Sequence, residues 1–131
     1  MPCNIRYHES SNNVIFIIGH PILDERISDE SLISSLLKNK FKNLNQIDGS
    51  FLIIKYEKSR HNLRIINDRF AAFPIYYSQN DIFYASTNLY HLHHLISDNG
   101  RSSFDENAIL SFLWFRKVLG NKTFNKQIKF L

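Results

Sequence analysis

IDGSFLIIKYEKSRHNLRIINDRFAAFPIYYSQNDIFYASTNLYHLHHL, residues 47–95, holds three strand-like runs at 50–56, 63–67 and 82–86, with a shorter one at 75–78. Each is rich in β-branched or aromatic residues and bounded by polar turn-formers. Lys58-Ser59-Arg60-His61-Asn62 and Gln79-Asn80-Asp81 are short enough to act as hairpin loops, so the flanking strands are expected to be antiparallel neighbours in one meander. Phe51-Leu52-Ile53-Ile54 lacks polar/apolar alternation, which predicts burial on both faces and a layered domain.

Upstream, residues 3–9 and 14–19 read as two strands joined by the polar turn Ser10-Ser11-Asn12-Asn13. Val14-Ile15-Phe16-Ile17-Ile18 again suggests two buried faces, and Gly19-His20-Pro21 ends the run. Ser28-Asp29-Glu30-Ser31 supplies an N-cap and acids in a first turn, and Leu32, Ile33, Leu36 and Leu37 follow at helical spacing, predicting a helix over 29–39. Residues 43–46 form a loop into the meander.

Downstream, residues 90–96 are predicted helical. Among His91, His93 and His94 only the first and last share a helix face, so a surface or packing role is favoured over metal ligation. Ser102-Ser103-Phe104-Asp105-Glu106 opens a further helix over 104–119, with Ile109, Leu110, Phe112, Leu113 and Val118 as its apolar set and Gly120 as its stop. Phe112, Trp114 and Phe115 cannot all point inward from one helix, because adjacent positions diverge by about a hundred degrees. One of them, Phe115 or Phe112, is expected in an exposed apolar patch that marks an interface.

A length of 131 residues fits a single domain, residues 1–131, able to bury roughly two-thirds of its unfolded surface. Aromatic residues at 14 % exclude a disordered chain. The lone cysteine forbids an intramolecular disulfide, no apolar run is long enough to span a bilayer, and Met1-Pro2-Cys3-Asn4 opens no signal peptide. A cytoplasmic protein without membrane attachment is expected. The net charge of +4 comes from scattered bases, with Lys38, Lys40 and Lys42 the nearest to a cluster; three lysines at a helix end fit a solvated C-terminus better than a nucleic-acid site. Asn121-Lys122-Thr123 has the glycosylation pattern, which an unsecreted protein does not use.

Three blocks resemble the N-terminal glutaminase-like domain of asparagine synthetases, a class II glutamine amidotransferase of the N-terminal-nucleophile hydrolase type. Ile47-Asp48-Gly49-Ser50-Phe51 resembles the family's Leu-Asn-Gly-x-Phe. Asp68-Arg69-Phe70-Ala71-Ala72-Phe73-Pro74-Ile75-Tyr76-Tyr77, the most specific block, resembles its Asp-Arg-Phe-Gly-x-x-Pro-Leu-Tyr-Tyr. Tyr84-Ala85-Ser86-Thr87 stands where the family has Phe-Ala-Ser-Glu, and residues 104–131 resemble the segment leading to an ATP-dependent synthetase domain. In order and spacing the likeness covers residues 28–131, about four-fifths of the chain. It implies an α+β fold: an Ntn-hydrolase-like sandwich of mainly antiparallel sheets with flanking helices, reduced at the N-terminus. The residues themselves give Asp68 and Arg69 a turn role, paired with each other or with backbone, and Pro74 the start of a strand.

Glutamine hydrolysis in that family needs an N-terminal cysteine thiolate, with its own α-amino group as base, and an oxyanion hole. Cys3 is the sole cysteine, and removal of Met1 exposes Pro2 instead. The family's Asn-Gly-Glu-Ile-Tyr-Asn block falls on Ile18-Gly19-His20-Pro21-Ile22-Leu23; only Gly19 matches, and Ile18 has no side-chain donor. Losing one oxyanion donor costs about a hundredfold or more in rate. The Arg-Gly-Pro-Asp loop that holds the substrate carboxylate has no counterpart. Ser28-Asp29 resembles the pair whose Asp receives the substrate amine, but Ser-Asp before an apolar helix is also an ordinary cap, and that reading is favoured.

The resemblance therefore implies a scaffold without its reaction: a non-catalytic accessory domain of an asparagine-synthetase-like ligase, present in cis or trans. Cys3 remains the catalytic candidate, Gly19 and Asp29 the substrate-binding ones, and no metal site is expected. No cofactor is expected in this chain, ATP and magnesium belonging to the ligase domain. The alternatives are an active amidotransferase with Cys3 exposed by processing, and a stand-alone binding module; a homodimer is a further arrangement.

Overall fold

The computed structural model describes residues 4–22, 29–38, 47–96 and 103–131, and only the backbone at 29–31. The chain divides into two compact units, Met1–Phe73 and Pro74–Leu131. Both are built from antiparallel sheet with few helices, an α+β composition.

In the first unit, β1 (Ile5–Glu9) and β2 (Asn13–Ile22) form a hairpin whose turn is closed by Ser10, its backbone N–H donating to the Asn13 carbonyl at 2.8 Å. The sheet continues through β3 (Asp48–Glu57) and β4 (Asn62–Asn67) in the order β1-β2-β3-β4. Between the last two lies a 3-10 turn, Lys58–Arg60, closed by His61 in the left-handed region. That turn is tied to the first hairpin: the Lys58 N–H donates to the Asn12 carbonyl at 2.8 Å and the Ser59 N–H to Asn12 Oδ1 at 2.9 Å. Lys58 Nζ also donates to Glu9 Oε1 at 2.6 Å, and the Tyr7 hydroxyl donates to the other Glu9 oxygen. Lys58 first, then Tyr7, holds the Glu9 carboxyl below its ordinary pKa.

Register assigns the side chains of this sheet to two faces. Ile15 and Ile17 of β2, Phe51 and Ile53 of β3, and Leu32 and Leu36 of helix α1 (Asp29–Leu37) make one buried cluster. Each such side chain contributes roughly 1.5–3 kcal/mol by leaving water. The opposite face is also apolar: Tyr7 lies opposite Phe16 with ring centroids 5.0 Å apart, Phe16 opposite Ile54, and Ile54 opposite Ile65. Of the Phe51–Ile54 run, expected to be buried on both faces, Phe51, Leu52 and Ile53 are buried and Ile54 is half-buried. β2 instead alternates, with Ile15 and Ile17 buried and Phe16 exposed beside the Tyr7 ring, so the expectation of two buried faces fails for this strand.

β2 runs on past Gly19 to Ile22, where the sequence suggested a stop. The Gly19 N–H donates to the Asn4 carbonyl on the β1 side; two residues on, Pro21, which has no N–H, faces the side where the β1 pairing has ended at Ile5.

The second unit holds β5 (Tyr76–Gln79), β6 (Phe83–Ser86) and β7 (Lys129–Phe130) in the order β6-β5-β7, with helices α2 (Leu89–Ile96) and α3 (Glu106–Phe115). The expected single meander is thus divided: β5 pairs with β6 and with β7, not with β4. β7 is too short to show a period and went unpredicted. Helix α2 packs on β5 and β6 and buries Leu92 completely. Asn88 caps it, Oδ1 accepting from the Tyr90 and His91 N–H groups at 2.9 and 3.2 Å. Helix α3 is capped by Asp105, whose Oδ1 accepts from the Ala108 N–H at 3.0 Å. It ends at Phe115, short of Gly120, because Arg116 takes the left-handed conformation and its N–H closes on the Phe112 carbonyl.

Candidate functional site

Cys3 and Ser28 lie outside the described residues. Asp29 begins α1, the position expected of a residue in a helix's first turn; its side chain also lies outside. Gly19 sits within β2 at φ +87°, opposite Phe51. Its N–H is 2.8 Å from the Asn4 carbonyl, so the one backbone donor it offers is used within the structure. A Cβ at Gly19 would stand 2.3 Å from the Ser50 carbonyl oxygen and 2.7 Å from the Phe73 ring. Gly49, at φ +94°, makes a matching close approach to the His20 carbonyl. Two backbones are thus brought together at this corner by residues without side chains.

The most specific sequence block builds a turn around one carboxylate. Asp68 is buried; Oδ2 accepts from the Phe51 N–H at 3.2 Å and the Ala72 N–H at 3.1 Å, and Oδ1 from the Phe70 N–H at 2.8 Å. The Asp68 N–H donates to the Phe51 carbonyl at 3.1 Å, and the Ala71 N–H to the Asp68 carbonyl at 3.0 Å. Ala71 is left-handed, with φ +49°, at the position where the family pattern has glycine. Of the two alternatives for Asp68, pairing with Arg69 or with backbone, the hydrogen bonds its carboxylate accepts here come from backbone N–H groups. A cavity of about 370 Å³ opens beside this turn, lined in part by Asp48, Gly49, Asn67, Arg69 and Phe70. Both Asp68 oxygens are already accepting hydrogen bonds, so toward that cavity the carboxylate organises the loop.

Lys55 is a buried cation that no sequence motif marks. It lies opposite Ile15 and Arg64 on the sheet face beneath α1, is 2 % exposed, and its Nζ donates to the Leu36 carbonyl at 2.6 Å. Burial, the largest cause, pushes its pKa below the ordinary lysine value; the Glu57 charge opposes this, and the Arg64 charge, the smallest effect, adds to it. A single lysine in Ile-Ile-Lys-Tyr was the available signal.

In the second unit a groove of about 600 Å³ lies between α2 and the strip before β7. Tyr90, Phe104 and Phe124 form apolar walls, and Ile128 and Thr123 a buried floor. Thr123 Oγ1 donates to the Ile128 carbonyl at 2.8 Å. Asn125 Oδ1 accepts from the Gln127 N–H at 2.9 Å, which turns the amide nitrogen toward His93 Nδ1, 3.3 Å away. His94 stacks edge-on against Tyr90, with centroids 4.3 Å apart. These histidines have packing partners, and among the described residues no group of three His, Cys, Asp or Glu could hold a metal ion. Nor is any described helix long and apolar enough to cross a membrane.

The apolar patch on α3 is larger than the sequence suggested. Phe112, Trp114 and Phe115 are all exposed, as are Leu110 and Leu113. The helix is too short and its apolar residues too evenly spread for one face to be covered.

The chain matches no family model, no curated protein and no solved structure.

Proposed function

We propose that the chain is a non-catalytic, glutaminase-like accessory domain that docks on an asparagine-synthetase-like, ATP-dependent amide-forming ligase. The observation that carries the proposal is at Gly19, the one residue matching the family's oxyanion block. Its N–H is bonded to Asn4, and Ile18 beside it has no side-chain donor to contribute. An oxyanion hole needs donors aimed at the developing charge; the Gly19 N–H is engaged within the structure, and the side-chain donor that the family pattern has at position 18 is absent. The retained scaffold is supported by the Asp68 turn, in which Ala71 adopts a glycine-like conformation at the family's glycine position. The apolar rings on α3 and the second apolar face of the four-stranded sheet offer surface for docking. Activation of a carboxylate by ATP and magnesium belongs to the ligase domain, and the accessory domain supports its folding or positions its substrate.

The chain should form a stable complex with the asparagine-synthetase-like ligase domain encoded in the same or a neighbouring reading frame, measured by light scattering. It should release no ammonia from glutamine. Glutamine-dependent ammonia release that disappears in Cys3→Ser would overturn the non-catalytic assignment, and failure to bind the ligase would overturn the accessory role.

A further inference from the structure

The cavity of about 370 Å³ beside the Asp68 turn lies within the first unit and carries two opposite charges that the fold leaves open. Asp48 and Arg69 both line it, and among the described residues neither side chain has a hydrogen-bond or ion-pair partner. Each charge is mounted on fixed backbone. Asp48 is in register with Ile22 and is followed by Gly49, which lies against the His20 carbonyl. Arg69 follows Asp68 in the turn, which is fastened to β3 by two hydrogen bonds with the Phe51 backbone, of 3.2 and 3.1 Å. Asp48 and Phe51 both belong to the start of β3, so one end of that strand holds both charges. Asn67 adds an amide to the lining, while Ile47, Ile66 and the buried Phe51 make most of the rest apolar.

A ligand with a single charge satisfies one of these groups and is repelled by the other: phosphate by Asp48, a metal cation by Arg69. A zwitterion satisfies both. A guanidinium group pairs with a carboxylate through two parallel N–H donors, and a carboxylate accepts from an ammonium group, so the complement is a molecule that carries both. The volume is near the lower end for small-molecule sites, which suits a single amino acid better than a peptide. We propose that this cavity binds a free α-amino acid with an apolar side chain, its carboxylate on Arg69, its ammonium group on Asp48 and its side chain against Ile47 and Ile66. Neither Cys3 nor Gly19 takes part, no bond is made or broken, and the site stands whether or not the chain docks on a ligase.

Isothermal titration calorimetry on the full chain compares L-leucine with L-leucinamide, which lacks the carboxylate, and with N-acetyl-L-leucine, which lacks the ammonium group. Leucine should bind saturably, and each analogue should bind about tenfold or more weakly than leucine. Asp48 and Arg69 are exposed and have no partner to lose among the described residues, so Asp48→Asn and Arg69→Gln should keep the wild-type thermal midpoint. Arg69→Gln should weaken leucine about tenfold and no longer distinguish it from leucinamide. Asp48→Asn should do the same with respect to N-acetyl-leucine. Glutamine, whose side chain is polar, should bind more weakly than leucine. Absence of saturable heat with leucine overturns the site. Equal binding of leucine and both analogues, or wild-type affinity in both variants, overturns recognition by the two charges. Glutamine binding as tightly as leucine overturns the apolar side-chain assignment.

Discussion

Lys55 Nζ donates to the carbonyl of Leu36, 2.6 Å away at the C-terminal end of α1, so the helix that covers the sheet is fastened by a buried ammonium group. A cation is favoured at a helix C-terminus, while its burial beside Arg64 opposes the charged form. Because the folded-state pKa is lowered, the unfolded chain binds more protons between that value and the ordinary 10.5. Stability should therefore rise with pH through that alkaline window and be lowest where Lys55 is fully charged in both states. In urea unfolding, wild type minus Lys55→Met should become more positive as pH approaches 10.5. A difference that stays constant or falls would remove Lys55 as the cause.

Replacing Asp68 should be far more damaging than its position in a turn suggests. Asp68→Ala leaves the Phe51, Phe70 and Ala72 N–H groups without their acceptor, at a cost of about 3 kcal/mol. Asp68→Asn keeps one acceptor oxygen and should lose about half as much. Urea midpoints of the two variants check the order; equal effects would count against the three-donor arrangement.

Ala71→Gly should stabilise the chain. An alanine at φ +49° bears a cost that glycine does not, about 1 kcal/mol. The gain is partly offset by the greater freedom of glycine in the unfolded chain. Thermal unfolding should show a rise of a few degrees; a fall would indicate that the alanine methyl makes a contact worth more than the strain.

Gly19→Ala tests the close approach of two backbones. The added carbon would lie 2.3 Å from the Ser50 carbonyl at a φ of +87°, so neither the side chain nor the strand can relax cheaply. A loss of about 3 kcal/mol or more is expected, measured by denaturant unfolding. Gly120→Ala, where a Cβ would meet nothing, should pay only for its φ of +72° and cost roughly 1 kcal/mol.

Most of the individual elements were legible because their signals are local. The hydrophobic runs of β2 and β3, the helical run at 90–96 and the helix start before Glu106 all sit within a few residues of what they specify, whereas the caps Asn88 and Asp105 emerge from the structure. The partition into two sheets was not legible, because β7 contributes only Lys129 and Phe130 and its pairing with Tyr76 and Tyr77 is set by tertiary structure. The end of α3 was misplaced for a related reason. Gly120 was the conventional stop, but Arg116 adopts the left-handed conformation four residues earlier. At the candidate site, Gly19 could be picked out by its motif, but not the use of its N–H by Asn4.

The pairing of β5 with β7 also bears on the order in which the chain can fold during synthesis. Every strand of the four-stranded sheet has left the ribosome once Asn67 has, so that unit can close while later residues are still being added. Tyr76 and Tyr77 must wait for Lys129 and Phe130 before their second edge is paired. Until then β5 presents an open flank, and a partner already assembled nearby would meet the second unit before its sheet is complete.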